Sequence, residues 1–198
     1  MKIHGDINSG NCYKLKLLTS LLDIEHEWVA IDILSGETRT DEFLAKNPNG
    51  KIPLLQLNDG SCLSESNAIL NFLAHRSKLL PADAWQHSKV LEWQFFEQYS
   101  HEPYIAVARY IVRYLGMPED RKAEFQAKKK GGYRALSVME QQLALTPFLV
   151  GKQLTIADIS LYAYTHVCHE GGFSLDNYPA INDWLQRIES DPRYIPMH

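Results

Sequence analysis

The stretch Asn47-Pro48-Asn49-Gly50-Lys51-Ile52-Pro53-Leu54-Leu55-Gln56-Leu57-Asn58-Asp59-Gly60-Ser61-Cys62-Leu63-Ser64-Glu65-Ser66 decides how this chain is read. It opens on a breaker cluster, Asn47 to Gly50, where Pro and Gly stop any preceding helix. Pro53–Leu57 and Ser61–Leu63 then flank Asn58-Asp59-Gly60, a hairpin signal in which Asp59-Gly60 supplies positive φ at the turn. Two antiparallel strands are expected. Pro53 has no N–H for a ladder and belongs at a strand's margin. A cis Ile52–Pro53 peptide there would leave the N–H and C=O of Ile52 facing outward, an edge with which an extended peptide can pair. Ser64–His75, apolar at Ile69, Leu70, Phe72 and Leu73, follows as a helix.

Upstream, strand and helix alternate. Lys2–His4 is a short strand. After a polar elbow, Asp6–Asn11, residues Leu15, Leu18, Leu21 and Leu22 recur at helical spacing, with Lys14, Lys16 and Asp23 given to the opposite face. Glu27–Ile33 alternates like a half-buried strand, and a short helix is expected around Asp41–Ala45. This order predicts an α/β domain over residues 1–77. Downstream, Ser77, Pro81, Ala82 and Asp83 punctuate the chain and strand alternation stops, so 78–85 reads as a linker and 86–198 as an all-helical domain. Its helical tracts are His87–Leu115, kinked or split by Pro103, then Glu119–Leu145, Thr155–His169 and Pro179–Glu189, the last opening on a proline suited to a first turn.

Composition narrows the function class. The chain has 198 residues, 45% of them hydrophobic, enough to bury a core without staples. Its 20 Lys+Arg against 24 Asp+Glu give a net charge of −4, the wrong balance for a nucleic-acid or polybasic membrane partner; neither is expected. No apolar run suits a bilayer span, and Met1–Asp6 breaks into charge and glycine where a secretory core would lie. A soluble cytoplasmic protein is expected. Cys12, Cys62 and Cys168 lack CxxC or finger spacing, and no His pair has ligand spacing with a carboxylate, so no metal is expected. Cys62 and Cys168 read as core thiols, and Lys128-Lys129-Lys130-Gly131-Gly132 as a solvated helix face.

Chemistry is expected at loops of the first domain, where helix starts present unpaired N–H groups and the positive end of the helix dipole. Ser9-Gly10-Asn11-Cys12 opens the first helix. Ser9 offers a hydroxyl to a thiolate or serves only as an N-cap. Asn11 is a second polar group or a turn residue. Cys12 is a small packing residue or, one turn from a ligand sulfur, a mixed-disulfide partner. At Glu65-Ser66 a ligand carboxylate would meet N–H groups and the Ser66 hydroxyl, while Glu65 holds an ammonium. Lys51 adds a cation for a second carboxylate. Thr155-Ile156-Ala157-Asp158 is a capping box, with Asp158 structural.

Ser9-x-Asn11, Asn47-Pro48-x-Gly50-Lys51-Ile52-Pro53 and Glu65-Ser66-x-Ala68-Ile69, with the Thr155–Asp158 box in the second half, resemble the cytosolic glutathione S-transferases, in particular bacterial members with a Ser/Asn elbow. The resemblance spans nearly the whole chain. It implies a thioredoxin-like N-terminal domain followed by a helical-bundle C-terminal domain, a homodimer, and glutathione as co-substrate, its thiol attacking small apolar electrophiles in detoxification. Carried over residue by residue, it implies that Ser9 and Asn11 activate the sulfur. Ile52, beside a cis Pro53, would pair with the cysteinyl backbone of glutathione, Glu65 and Ser66 would hold its γ-glutamyl end, and Lys51 its glycyl carboxylate. Many Ser-type members place a His before the second helix; Glu37-Thr38-Arg39-Thr40 stands there instead, with Arg39 as the substitute. The family sets the kinked helix over the thiol, which makes Tyr104 and Arg109 candidates for the electrophile pocket.

Two alternatives stand beside this reading. A glutathione-dependent disulfide reductase or peroxidase is suggested by Ser9-x-Asn11. A non-catalytic binding module of the same fold is disfavoured by the intact Ile52-Pro53 and Glu65-Ser66, which a scaffold does not need. An isomerase branch of the family carries Ser-Ser-Cys where this chain has Ser9-Gly10-Asn11.

Overall fold

The structure, a computed structural model, describes residues 1–197. It divides into two compact units: Met1–Ser77 together with the tail from Arg193, and Lys78–Pro192.

The first unit runs β1 (Lys2–Gly5), α1 (Gly10–Leu21), β2 (Glu27–Ala30), α2 (Asp41–Lys46), β3 (Leu54–Gln56), β4 (Cys62–Ser64) and α3 (Ser66–Leu73). The sheet order is β2-β1-β3-β4. β1 and β2 are parallel, joined through α1; β3 is antiparallel to β1 and β4. The thioredoxin-like core comes from Ile3, Leu54 and Leu55 of the sheet, Leu15 and Leu18 of α1, and Ile69 and Leu70 of α3, all fully buried.

The hairpin turns on Gly60, at φ 89°; Asp59 stays out of the left-handed region and instead accepts the Ser61 N–H on its Oδ1 at 2.9 Å. β2 ends at Ala30, short of the expected Ile33. The Ile31 N–H still reaches Gly5 O at 3.0 Å, but Asp32 then caps a turn by accepting the N–H groups of Leu34 and Ser35.

α1 is buried almost all round, Lys14 included, which corrects the placing of Lys14 on a polar face. The tail, expected with the helical half, returns to α1. Its backbone supplies the acceptors: Ser20 Oγ donates to Arg193 O at 2.6 Å and Tyr13 Oη to Ile195 O at 2.8 Å, while Met197 is buried. This covers a side of α1 that a lone amphipathic helix would leave to water.

The second unit is helical: α4 (Ala84–Phe96), α5 (Glu102–Arg113), α6 (Lys122–Leu143), α7 (Ile156–Thr165) and α8 (Pro179–Glu189). The segment expected as a linker belongs to this unit. Leu79 and Leu80 are buried, and Leu79 O accepts the Ile156 N–H at 2.9 Å. A π-helical turn, Glu97–His101, separates α4 from α5 and lies one turn ahead of Pro103. A ring without an N–H disrupts the preceding ladder, which here widens rather than breaks.

The Lys128–Gly132 run is not uniformly solvated. A Cβ at Gly131 or Gly132 would collide with the Tyr104 or Phe173 ring. Lys129 Nζ lies 4.3 Å from the ring centroids of both Phe125 and Phe173 and donates to Gly171 O at 2.6 Å. Partial burial lowers the pKa of this ammonium from its ordinary value. No helix among the described residues is long and apolar enough to cross a membrane.

Candidate active site

Register places the expected site residues. His4, Leu54 and Ser64 form one row across β1, β3 and β4. The chain therefore leaves β1 into the elbow, enters β3 from Ile52-Pro53, and leaves β4 into Glu65-Ser66, all at the same end of the sheet.

At the elbow, Asp6 accepts the Ser9 N–H on its carbonyl at 3.1 Å and the Asn8 N–H on its carboxylate at 2.8 Å. Ser9 is the N-cap of α1, its Oγ accepting the Cys12 N–H at 3.4 Å. A hydroxyl used as an acceptor keeps its proton to donate. Cys12 is fully buried, and desolvation pushes its thiol up to about 12 against the smaller lowering by the Ser9 hydroxyl beside it. The mixed-disulfide alternative thus gives way to packing: the thiol is closed in and protonated. Cys168 is raised to about 12 for the same reason, whereas Cys62 is half-buried, not the core thiol expected, because β4 is an edge strand.

In the loop before β3, buried Asn47 donates Nδ2 to Lys51 O at 2.7 Å and accepts the Asn49 N–H at 3.2 Å. Gly50, at φ 60°, passes beneath Arg39; a Cβ there would stand 2.6 Å from Arg39 Nη1 and 2.9 Å from Thr38 O. The Arg39 guanidinium also reaches Asn49 O at 3.5 Å. Arg39 and Lys51 thus flank one loop, both exposed. The Ile52–Pro53 peptide is cis, and neither the N–H nor the C=O of Ile52 is bonded within the described residues.

After β4, Glu65 sits at φ 69°. This left-handed backbone costs a non-glycine residue about 1–3 kcal/mol and tends to mark sites where geometry is imposed. Its carboxylate is exposed. Ser66, the first residue of α3, is buried; its Oγ donates to Asn11 Oδ1 at 3.3 Å and accepts from Lys14 Nζ at 3.3 Å. Elbow and helix start are joined directly.

Lys14 is the site neighbour that the periodicity argument missed. The signal was there: position 14 lies four before Leu18 and seven before Leu21, on the apolar stripe itself. Tyr104 and Arg109 fall in the second unit. Tyr104, with Phe96, Tyr99, Ser100, Gly131 and Arg134, lines a cavity of about 610 Å³. Arg109 does not line it. It is buried, with Nε donating to Glu170 Oε2 at 2.6 Å, and Arg113 Nε approaches the same oxygen at 3.4 Å. A desolvated guanidinium needs such a partner, which makes Arg109 a structural ion.

The glutathione S-transferase N-terminal domain model matches residues 2–75 and the C-terminal domain model residues 98–192. A solved structure, glutathione S-transferase from Pseudomonas fluorescens [Pf-5], shares 61% identity and superposes at TM-score 0.97, covering 99% of this chain and 98% of that one. Among curated relatives, the glutathione S-transferase-like protein FUS3 of Gibberella fujikuroi is 32% identical over 160 residues, 76% of this chain and 74% of its own. The disulfide-bond oxidoreductase YfcG of Escherichia coli is 26% identical over 189 residues, 92% of this chain and 87% of its own. The chain belongs to the glutathione S-transferase family.

Proposed function

We propose that the protein is a glutathione transferase that activates the thiol of glutathione for attack on small apolar electrophiles, acting as a cytoplasmic homodimer. The observation that carries this reading is the shared sheet end at which the elbow, the open Ile52 backbone and the Ser66 helix start emerge together. Ile52 pairs with the cysteinyl backbone of glutathione, Ser66 and Glu65 take the γ-glutamyl carboxylate and ammonium, and Lys51 with Arg39 takes the glycyl carboxylate. The sulfur then lies at the start of α1, before the Ser9 hydroxyl and Asn11; in the second unit, the cavity that Tyr104 lines is the candidate for the electrophile.

A hydroxyl suffices for the activation. A thiol of pKa about 8.5 needs roughly two units of lowering to be mostly thiolate at neutral pH, or about 2.8 kcal/mol. A hydrogen bond to the anion supplies about 1.5–3 kcal/mol, and the helix start about 0.3–1 more.

A second reading, glutathione-dependent disulfide reduction or peroxidase chemistry, is supported by the name of the Escherichia coli relative; the burial of Cys12 means that glutathione would supply the thiols. Retention on immobilised glutathione, followed by parallel assays with a chloronitrobenzene and with a small disulfide, tests both. Retention with conjugation exceeding disulfide reduction is expected. The reverse ratio establishes the second reading, and neither retention nor turnover establishes a non-catalytic module.

A further inference from the structure

The cavity of about 610 Å³ in the helical unit has Lys130, Gly131 and Arg134 of α6 in its lining, together with Phe96, Tyr99 and Tyr104. Gly131 lets the Tyr104 ring lie against the α6 backbone, since any Cβ there would strike it. No lining residue is acidic. The carboxylates on the elements that supply the lining are engaged elsewhere: Glu92 with Lys89, Glu97 and Glu102 with the Gln98 amide, Glu124 with Arg121, and Glu140 with the Ala180 and Ile181 N–H groups. Lys130 and Arg134, by contrast, have no hydrogen bond or ion pair among the described residues, and Lys128 Nζ stands 6.0 Å from the centre of the Tyr104 ring. On a chain of net charge −4, this one cavity gathers unneutralised positive charge beside aromatic rings.

We propose that this cavity selects electrophiles whose aromatic body carries a carboxylate, the ring lying against Tyr104 and Phe96 and the carboxylate meeting Arg134 and Lys130. The inference rests on the transferase reading above and narrows its electrophile to an apolar body with one acidic group. Positions 130 and 134 are neighbours on one helix face, so both side chains can reach the same group. The Arg134 guanidinium offers a planar fork that fits a carboxylate with two parallel bonds, and Lys130 adds a point charge. With a chloronitroarene as electrophile, the glutathione thiolate attacks the ring carbon that bears chlorine. A C–S bond forms, the C–Cl bond breaks, and chloride leaves with the bonding pair; the thiol proton has gone to solvent, and the carboxylate takes no part in the exchange.

The test compares kcat/KM for 4-chloro-3,5-dinitrobenzoate and for its neutral amide, each divided by the rate of the same compound with glutathione alone. The wild type is expected to favour the acid by about tenfold or more, Arg134→Leu and Lys130→Leu each to lose part of that preference, and the double variant to lose nearly all of it. Raising the salt concentration shrinks the preference in the wild type, because both cations are exposed. Melting temperature shows that the variants fold, and Arg134→Lys, which keeps the charge without the fork, retains part of the preference. No preference in the wild type, or an unchanged preference in the folded double variant, overturns the assignment of the cavity. Turnover of neither compound overturns the transferase reading instead, and the cavity is then judged by Kd for 3,5-dinitrobenzoate and 3,5-dinitrobenzamide. Tighter binding of the acid that disappears in the double variant upholds the cavity as an aromatic-acid site; equal binding of the two overturns it.

Discussion

At the start of α7, in the helical unit, the buried carboxylate of Asp158 accepts four donors: the Leu149 N–H at 2.8 Å, the Trp184 Nε1–H at 3.0 Å, and the Thr155 N–H and hydroxyl at 2.9 Å each. At the starts of α1 and α3, in the other unit, no acidic residue occupies the first turn, and the caps are a serine with a proton to spare and a glutamate in left-handed backbone whose side chain caps nothing. One helix start has its anion built in. The other two have no acidic residue of their own in the first turn, and in the proposed function the anion comes from the ligand. The difference separates a structural motif from the proposed binding one, although both look alike as short polar strings before an apolar run.

Breaking the closed start has the largest expected effect. Asp158→Ala leaves four buried donors unmet and is expected to destabilise the fold by about 3–5 kcal/mol in urea unfolding. Asp158→Asn recovers little, because whichever way the amide turns, its NH₂ faces two donors. Burial raises this carboxyl's pKa and the four donors pull it back, so all four share the consequences of its loss.

At the open start of α1, the protein's own sulfur is expected to stay silent. Cys12 and Cys168, both raised from 9.0 to about 12 by burial, remain thiols in alkylation of the folded protein up to about pH 10, and Cys62 alone of the three reacts. The folded state holds these protons more tightly than the unfolded chain. The stability they contribute is therefore full below about pH 9 and declines as pH rises towards 12. The smallest expected effect is that of Cys12→Ala on turnover, a change below about twofold, because in the proposed function the reacting sulfur belongs to the ligand.

The same contrast explains what was legible in the sequence. Local rules were: the turn at Gly60, the capping box of Thr155 and Asp158, and the breaker loop before Ile52 each depend on a few adjacent residues. Long-range compensation was not. Lys14 looked polar until Ser66, far along the chain, provided its buried partner, and Lys129 looked solvated until the Phe125 and Phe173 rings closed over it. Arg109 carried no mark of its pairing with Glu170. The tail after Arg193 has no periodicity and binds through its carbonyls, which a side-chain pattern does not display. The candidate site residues Ser9, Asn11, Lys51, Ile52, Glu65 and Ser66 stand out in the sequence as turn and helix-start chemistry, and the sheet register adds that their segments emerge at one end.

In the proposed function, Ser9 at the start of α1 lowers the pKa of a bound thiol. Thiolate absorbance of bound glutathione, titrated against pH in the wild type, Ser9→Ala and Asn11→Ala, measures this directly. The prediction is a wild-type midpoint about two units below that of free glutathione, moving up by about one unit or more in Ser9→Ala. An unchanged titration in both variants would contradict it.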